Sequence, residues 1–369
     1  MTFHRLVVKC GTSTLTAGTA HLAPPRLVEI AQQIAHLRAA TLEVIVVTSG
    51  AVAAGRERLN LTQLPKDLPV KQMLSAIGQP RLMALYEQIF GLYGLTIAQV
   101  LLTRSDLADR HSYLNSRNTL TALLEHGIIP IVNENDTVAT EEIRVGDNDN
   151  LSALVANLID ADLLVLLTDR PGLYTAHPDL DPAAQLVTGV DTPEIPTELW
   201  QAAGGAANGL GTGGMITKLQ AADLARRSGT TVVIAGGREP QVLTRLVAGE
   251  KIGTWFQPIT TSLESRKRYI LAGGHATGCI RIDEGAAHAL HQAGRSLLPV
   301  GVIAVEGTFE RGDTIQVLNP IGREVARGIV NYESGDLARI CRRQSSEIET
   351  ILGYTYGDEV IHRNNLILL

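Results

Sequence analysis

Six short and almost entirely apolar runs constrain the fold of this chain more than any other feature of its sequence. They are RLVV (5–8), EVIVV (43–47), LTIAQVLL (95–102), IIPIV (128–132), LLVLL (163–167) and TTVVIA (230–235). Continuous apolar runs of this length are typical of parallel strands that are buried on both faces of a sheet. We therefore predict a mainly parallel central sheet.

Helical patterns lie between these runs, and a different pattern follows them. Apolar residues recur at the spacing of one helix face within 151–159 and within 215–222. Alternating strands and helices predict a three-layer αβα sandwich over residues 1–257. A polar, proline-containing linker is expected over 258–274. One helical segment (284–294) and four short strands with glycine-containing turns then predict a small, mainly β barrel over 275–369; the strands are TGCIRID, VGVIAVEG, DTIQVLN and REVARGIVNY.

Composition and cysteine usage exclude several classes of protein. The run LLVLL is far shorter than the roughly 20 residues of a membrane span, and Lys9 interrupts the first apolar stretch, so no secretory signal is expected. Cys10, Cys279 and Cys341 are odd in number and lack metal-site spacing, which favours free thiols in the cytoplasm. Residues 264–369 carry 12 Lys and Arg against 13 Asp and Glu, without the basic excess of a nucleic-acid binder.

Polar and glycine residues follow the predicted strands at the edge where open α/β sheets bind ligands. Lys9 lies at the end of the first run, and Gly11 opens the following turn. Ser49 and Gly50 follow the second run and can present backbone N–H groups to an anion. Thr168 and Asp169 end the fifth run, before a Pro-Gly turn and Tyr174, which suits a nucleoside. Taken singly, the first two segments are equally well explained as ordinary turns, and the alternative for the third is a turn followed by a surface loop.

Acids and amides cluster in two segments of the middle of the chain, NEND (133–136) and DNDN (147–150). Capping of the following helix needs only one such residue. The excess favours a site that binds the ammonium group of an amino acid and orients catalytic lysines. Mg²⁺ is the rival ligand, since oxygen side chains suit it, although it usually relies on nucleotide phosphates.

The segment GLGTGGMITK (209–218) is a glycine-rich loop that leads into a helix, an arrangement that binds anions. It lacks the strand and the downstream acid of a dinucleotide fingerprint, and no Walker A spacing occurs in the chain. Lys218 falls in the first turn of the predicted helix. Two lysines from distant parts of the chain, with glycine loops and carboxylates between them, indicate phosphoryl transfer.

These motifs together resemble the amino acid kinase family, and within it the glutamate 5-kinases. The matching strings include VVKCGTSTLT, VVTSGAVAAG, KQMLSAIGQ, VNENDTV, GDNDNLSALVANLIDADLLVLLTD and GTGGMITKLQAADLA, and the C-terminal part resembles a PUA domain. The resemblance implies the amino acid kinase fold and ATP-dependent phosphorylation of L-glutamate on its side-chain carboxylate, the first step of proline biosynthesis. It also implies inhibition by proline, and we expect a homo-oligomer.

Residue roles follow from the same resemblance. The catalytic residues are expected to be Lys9, Lys218 and Asp149. The substrate-binding residues are expected to be Ser49, Gly50, Asn133, Asp136, Asp147 and Asn148. The nucleotide-binding residues are expected to be Lys9, Gly11, Thr168, Asp169, Tyr174, Gly211, Thr212, Gly213, Gly214, Met215, Ile216, Thr217 and Lys218.

The expected chemistry needs neither a general base nor a protein metal site. A glutamate side chain has a reference pKa of about 4.3, so the nucleophile is already ionised. Mg²⁺ is expected to be carried mainly by the phosphates of ATP. Two alternatives stay open: another carboxylate kinase, acting on N-acetylglutamate or aspartate, and RNA binding through the C-terminal domain, for which RKR (266–268) is the one local basic patch.

Overall fold

The chain divides into two compact units, Met1–Ser262 and Leu263–Leu369. The structure, a computed structural model, describes residues 3–61, 67–139, 148–204, 214–261, 264 and 278–369. Most of the expected linker over 258–274 therefore lies outside the described residues. None of the described helices has the length and apolarity of a membrane span.

The first unit is built on one eight-stranded sheet. Its strands are β1 (Arg5–Cys10), β2 (Glu43–Val47), β3 (Ile97–Leu102), β4 (Ile129–Glu134), β5 (Leu163–Thr168), β6 (Gly189–Val190), β7 (Thr231–Gly236) and β8 (Thr254–Phe256). Its described helices are α1 (Thr12–Leu15), α2 (Pro24–Ala39), α3 (Ala51–Arg58), α4 (Leu68–Gly91), α5 (Arg104–Ala108), α6 (Arg110–Glu125), α7 (Asp149–Leu158), α8 (Thr197–Gly204), α9 (Met215–Arg226) and α10 (Val242–Val247).

The strand order is β3-β4-β2-β1-β5-β7-β8-β6, and all pairs except β7–β8 are parallel. All six predicted strands are confirmed, and their observed bounds lie close to the apolar runs. The short strands β6 and β8 were not predicted. The central position of β1, between β2 and β5, places its carboxyl end in the middle of the ligand-binding edge.

Side chains of the sheet alternate between two hydrophobic cores. Leu6, Val8 and Cys10 of β1 pack on the side of α2 and α4. Val7 packs on the opposite side, with residues of α7 and α9. Because successive side chains of a strand point to opposite faces, the side chain of Lys9 lies on the same face as Val7. The predicted three-layer sandwich is confirmed by this arrangement.

Helices α3 and α4 cross unusually closely because each has a glycine at the contact. A Cβ at Gly55 would lie 1.9 Å from the carbonyl oxygen of Leu74, and one at Gly78 would lie 1.8 Å from that of Ala51. Ala51 is the first residue of α3 and follows Gly50, which has a left-handed φ of 99°. The crossing therefore fixes the middle of α4 beside the carboxyl end of β2.

The second unit contains a five-stranded sheet of order β10-β9-β11-β12-β13. The strands are β9 (Gly278–Ile282), β10 (Val302–Gly307), β11 (Thr314–Leu318), β12 (Glu324–Ile329) and β13 (Leu366–Leu368), and the helices are α11 (Glu284–Ala293), α12 (Ser334–Ile340) and α13 (Ile348–Leu352). A core of its own includes Ile280, Val317 and Tyr332. The four predicted strands and α11 are confirmed, whereas β13, α12 and α13 were not predicted.

Candidate active site

Three charged side chains meet at the carboxyl edge of the large sheet. Lys9 Nζ lies 2.5 Å from Asp149 Oδ1, and Lys218 Nζ lies 2.9 Å from Asp149 Oδ2. Asp149 is fully buried, and both lysines are less than one tenth exposed. Each carboxylate oxygen thus contacts one ammonium, and the cluster keeps one positive charge in excess. Such a buried, preorganised charge suits an anionic ligand or transition state.

Sequence-local features bring these three residues together. Successive side chains of β1 alternate between the two faces of the sheet, and Lys9 is on the face toward α7. Asp149 is the first residue of α7, and Lys218 lies in the first turns of α9. Thr217 Oγ1 lies 2.9 Å from Asp149 Oδ2 and 2.7 Å from the carbonyl oxygen of Gly214. Thr217 therefore links the described end of the glycine-rich loop to the carboxylate.

A group of uncharged amides lies next to this cluster. Asn148 Nδ2 donates to Asn133 Oδ1 at 2.7 Å and to the carbonyl oxygen of Thr48 at 2.5 Å. Asn133 Nδ2 donates to Gln79 Oε1 at 2.7 Å. Asn148 occupies the N-cap position of α7, but its side chain makes no capping hydrogen bond. The side chain therefore serves the amide group instead of the helix end.

Helix α4 supplies three polar side chains that the sequence analysis did not assign to the site. Gln79 contacts Asn133, and Ser75 Oγ donates to Asp136 Oδ2 at 2.5 Å. Gln72 Nε2 donates to the carbonyl oxygen of Ala139 at 3.0 Å. The three residues recur at i, i+3 and i+7 within KQMLSAIGQ. This spacing places them on one face of the helix, and it is the sequence pattern from which a polar face could have been predicted.

Burial and hydrogen bonding act in opposite directions on Asp136. Burial raises the pKa of this carboxyl above its ordinary value, and the hydrogen bond from Ser75 lowers it. Burial is the larger effect. An approaching ammonium group would favour the ionised form, so a cationic ligand and the charge of Asp136 stabilise each other.

Ser49 and Gly50 lie at the end of β2, as predicted. Ser49 is buried, and its hydroxyl has no hydrogen-bond partner among the residues that the structure describes. A Cβ at Gly50 would contact Leu15 and Leu22 at 3.5 Å. The turn therefore presents a buried hydroxyl beside a backbone that needs glycine for its left-handed conformation.

The expected nucleotide-binding residues lie around the other side of the charged cluster. Thr168 ends β5 and is buried, its hydroxyl lies 3.1 Å from Asp169 Oδ1, and Asp169 is exposed. Tyr174 is half-buried and pairs through its backbone with Leu186. Gly11 caps α1, and a Cβ there would lie 3.4 Å from Lys9 Nζ.

The glycine-rich segment is described only from Gly214 onward. Gly214 is exposed at the start of α9, and Met215 and Ile216 are half-buried against the core on that face of the sheet. The other expected members of the site, Asp147, Gly211, Thr212 and Gly213, lie outside the described residues.

Gly237 allows a further close contact in the site, and the sequence analysis did not predict it. Its N–H donates to the carbonyl oxygen of Thr168 at 2.7 Å, and a Cβ there would lie 2.9 Å from Thr14 Cγ2. The residue lets the loop after β7 pack against α1. The signal in the sequence was the Gly-Gly pair that ends the sixth apolar run.

The thiol beside Lys9 is unsuited to nucleophilic chemistry. Burial raises the pKa of Cys10 to about 12, although the charge of Lys9 acts in the opposite direction. The side chain packs in the core on the opposite face of the sheet from the lysine cluster. A protonated, buried thiol behaves as a small apolar side chain.

The described side chains of this site do not surround a divalent metal ion with protein ligands. Among the described residues no group of three or more His, Cys, Asp and Glu side chains is placed to hold a metal ion. Both oxygens of Asp149 contact lysines.

Comparison with known proteins gives two matching families. The model of the amino acid kinase family matches residues 4–236, and that of the PUA domain matches residues 278–352. Glutamate 5-kinase from Herpetosiphon aurantiacus is 53% identical over 363 residues, which cover 98% of this chain and 98% of that protein. Glutamate 5-kinase from Photobacterium profundum is 54% identical over 364 residues, which cover 99% of this chain and 96% of that protein.

Proposed function

The chain belongs to the amino acid kinase family and, within it, to the glutamate 5-kinases, and on this basis we propose that it transfers the γ-phosphoryl group of ATP to the side-chain carboxylate of L-glutamate. The products are ADP and L-glutamyl 5-phosphate. The reaction is proposed to open proline biosynthesis. The cluster of Lys9, Asp149 and Lys218 is the observation that carries this proposal.

The proposed reaction forms one bond and breaks one bond without a proton transfer. A carboxylate oxygen of glutamate attacks the γ-phosphorus, and the bond between that phosphorus and the β,γ-bridging oxygen breaks as ADP leaves. Because the carboxylate is ionised near neutral pH, no general base is required. The main obstacle is the approach of two anions, which positive charge and fixed hydrogen-bond donors reduce.

Lys9 and Lys218 supply that charge from two sides. Asp149 holds both ammonium groups in place before the substrates bind, so little reorganisation is needed during the reaction. Thr217 fixes the carboxylate from the side of α9. A magnesium ion carried by the phosphates of ATP would neutralise further charge on the nucleotide when bound.

The amide side of the site is proposed to bind the amino acid backbone of glutamate. Asn133, Asp136 and Asn148 offer oxygen acceptors to an α-ammonium group, and Asp136 adds a negative charge. Ser49 and Gly50 are placed to donate to a carboxylate from their hydroxyl and backbone N–H groups. The α-ammonium and α-carboxylate groups of the substrate would thus meet groups of opposite character.

A coupled assay of ADP formation tests this function. L-glutamate, N-acetyl-L-glutamate and L-aspartate should be compared at equal concentrations with ATP and Mg²⁺. We expect turnover with L-glutamate at least tenfold above either alternative, since a lost ammonium contact or a shortened side chain costs about 1–3 kcal/mol. Faster turnover of N-acetyl-L-glutamate or L-aspartate would contradict the assignment.

Proline is proposed as an inhibitor that competes with glutamate. It shares the α-carboxylate and a positively charged nitrogen but has no carboxylate to phosphorylate. The segment 137–146 follows the substrate residues; Gln72 of α4 donates to the carbonyl oxygen of Ala139, and residues 140–146 lie outside the described residues. Glutamate saturation curves at several proline concentrations should show a raised KM and a constant kcat.

The first unit is proposed to be sufficient for catalysis, since every residue given a role above lies within Met1–Ser262. A chain that ends at Ser262 should fold and phosphorylate glutamate. A folded but inactive truncation would show that the C-terminal unit completes the site. The expected cytoplasmic location and homo-oligomeric state remain proposals based on sequence.

A further inference from the structure

Four side-chain amides form a continuous relay from the surface to the amino acid side of the site. Gln79 Nε2 donates to Gln99 Oε1 at 3.2 Å, and Asn133 Nδ2 donates to Gln79 Oε1 at 2.7 Å. Asn148 Nδ2 then donates to Asn133 Oδ1 at 2.7 Å. Gln99 is exposed on β3, whereas Asn133 and Asn148 are buried. The relay thus links β3, α4, β4 and the start of α7.

A single backbone carbonyl sets the direction of every amide in this relay. The oxygen of Thr48 can only accept, so the NH₂ group of Asn148 must face it at 2.5 Å. The same NH₂ group gives its second hydrogen to Asn133, which must then present its oxygen. Asn133 in turn presents its NH₂ group to Gln79. Reversing any inner amide would place two donors or two acceptors face to face.

This direction determines what Asn148 can offer to a ligand. Both hydrogens of its NH₂ group are used, and no described residue donates to its Oδ1. The remaining polar atom of the side chain is therefore an acceptor. This oxygen can accept a hydrogen bond from an N–H of an α-ammonium group. A ligand without a donor at that position makes no hydrogen bond to it.

We propose that Gln79 is a positioning residue that holds the amide relay in the direction set by the Thr48 carbonyl and thereby makes the site selective for a substrate with an α-amino group. This inference rests on the proposed phosphorylation of L-glutamate. Gln79 follows Gly78, whose close contact with Ala51 holds this part of α4 against the site. Without an acceptor at position 79, the buried NH₂ group of Asn133 loses its partner, and the Asn133 oxygen that accepts from Asn148 is no longer held in place.

The test compares L-glutamate with glutarate, which has both carboxylates but no amino group. Gln79→Leu removes the acceptor, whereas Gln79→Glu keeps an acceptor for Asn133, loses the donor to the exposed Gln99 and adds a negative charge. Gln88→Leu makes the same change on an exposed part of the same helix and is the matched control. For each variant, kcat and KM are measured with both substrates, and folding is followed by circular dichroism.

We expect Gln79→Leu to lower the preference for L-glutamate over glutarate about tenfold, mainly through a higher KM for L-glutamate. Gln79→Glu should restore most of the preference, and Gln88→Leu should behave like the wild type. Gln79→Ala serves as the second loss variant if the leucine variant is not folded. An unchanged preference in a folded loss variant, or equal losses with both substrates, would overturn the proposal.

Wild-type turnover of L-glutamate is measured first and separates the two claims. Its absence would contradict the proposed function itself. If the wild type phosphorylates L-glutamate but Gln79→Glu is as impaired as Gln79→Leu, the function stands and the role of the acceptor at position 79 is wrong.

Discussion

Asn148 and Asp149 are neighbours in the chain but belong to two networks that work by different physics. Asp149 organises a charged cluster, in which one carboxylate holds two lysines from opposite ends of the catalytic unit. Asn148 belongs to a neutral relay, in which the order of donors and acceptors is fixed by one backbone carbonyl. The first network acts through its charge. The second acts through the fixed orientation of its hydrogen-bond donors and acceptors.

We propose that this one helix start serves two parts of the reaction. Charge that is fixed in a buried site stabilises a transition state in which charge is redistributed, and therefore affects kcat. Directed neutral hydrogen bonds select a ground-state ligand, and therefore affect KM and specificity. Substitutions on the two sides should consequently move different kinetic parameters.

The largest effect is expected for the lysines. Lys9→Ala and Lys218→Ala should each lower kcat by about 10²–10³-fold, the size typical of a lost electrostatic contact to a transition state. The KM for L-glutamate should change far less. Steady-state kinetics with saturating ATP measures both. A lysine whose loss leaves kcat unchanged has no part in the chemical step.

Removing the shared carboxylate should chiefly cost stability. Asp149→Ala removes the carboxylate that both buried lysines contact, and breaking a buried ion pair costs about 3–5 kcal/mol. Urea unfolding of the variant and the wild type gives the difference. Asp179→Ala, which removes an exposed partner of Arg170, is the control and should change stability little. Equal unfolding midpoints for Asp149→Ala and the wild type would show that the cluster is not organised in this way.

A smaller effect is expected at the helix crossing that supports the relay. Gly78→Ala would place a Cβ 1.8 Å from the carbonyl oxygen of Ala51, and overpacking of this kind costs about 1–3 kcal/mol. The KM for L-glutamate should rise as Gln79 shifts. Gly91→Ala, in the same helix and with no atom within 4 Å of the added Cβ, is the control. Gly78→Ala with unaltered stability and KM would disprove the coupling between the crossing and the relay.

The smallest effect is expected at Cys10, which neighbours Lys9 but faces the other core. Its folded pKa of about 12 lies above the ordinary value of 9.0. The stability from keeping the thiol protonated is therefore complete below about pH 9 and is lost as the pH rises toward 12. Cys10→Val should remove this part of the alkaline decline, about 1.4 kcal/mol per pH unit at most. Parallel declines in urea unfolding between pH 8 and 11 would contradict the assignment.

Much of the fold could be predicted from the sequence because both faces of the main strands are buried. A continuous apolar run in the sequence marks each of six strands, β1, β2, β3, β4, β5 and β7. β6 and β8 have only two and three residues, which is too short for a recognisable pattern. Helix α4 continues through Gly78 and Pro80, two residues that usually interrupt helices, so its course depends on tertiary packing.

The charged part of the site was easier to predict than the neutral part. Lys9, Asp149 and Lys218 stand at a strand end and at two helix starts, positions that local sequence and family resemblance both indicate. The place of Gln79 depends on the crossing of α3 and α4, which no local pattern records. The direction of the relay depends on the carbonyl oxygen of Thr48. Every residue has such a backbone oxygen, so the sequence does not indicate which one accepts the hydrogen bond.

The most direct test of the two-network account compares Lys218→Ala with Gln79→Leu in one ADP-release assay over a full range of L-glutamate concentrations. The account predicts a much lower kcat with a nearly unchanged KM for Lys218→Ala, and a higher KM with a nearly unchanged kcat for Gln79→Leu. If both variants instead lose the same parameter by similar factors, the two networks are one functional unit and the account is wrong.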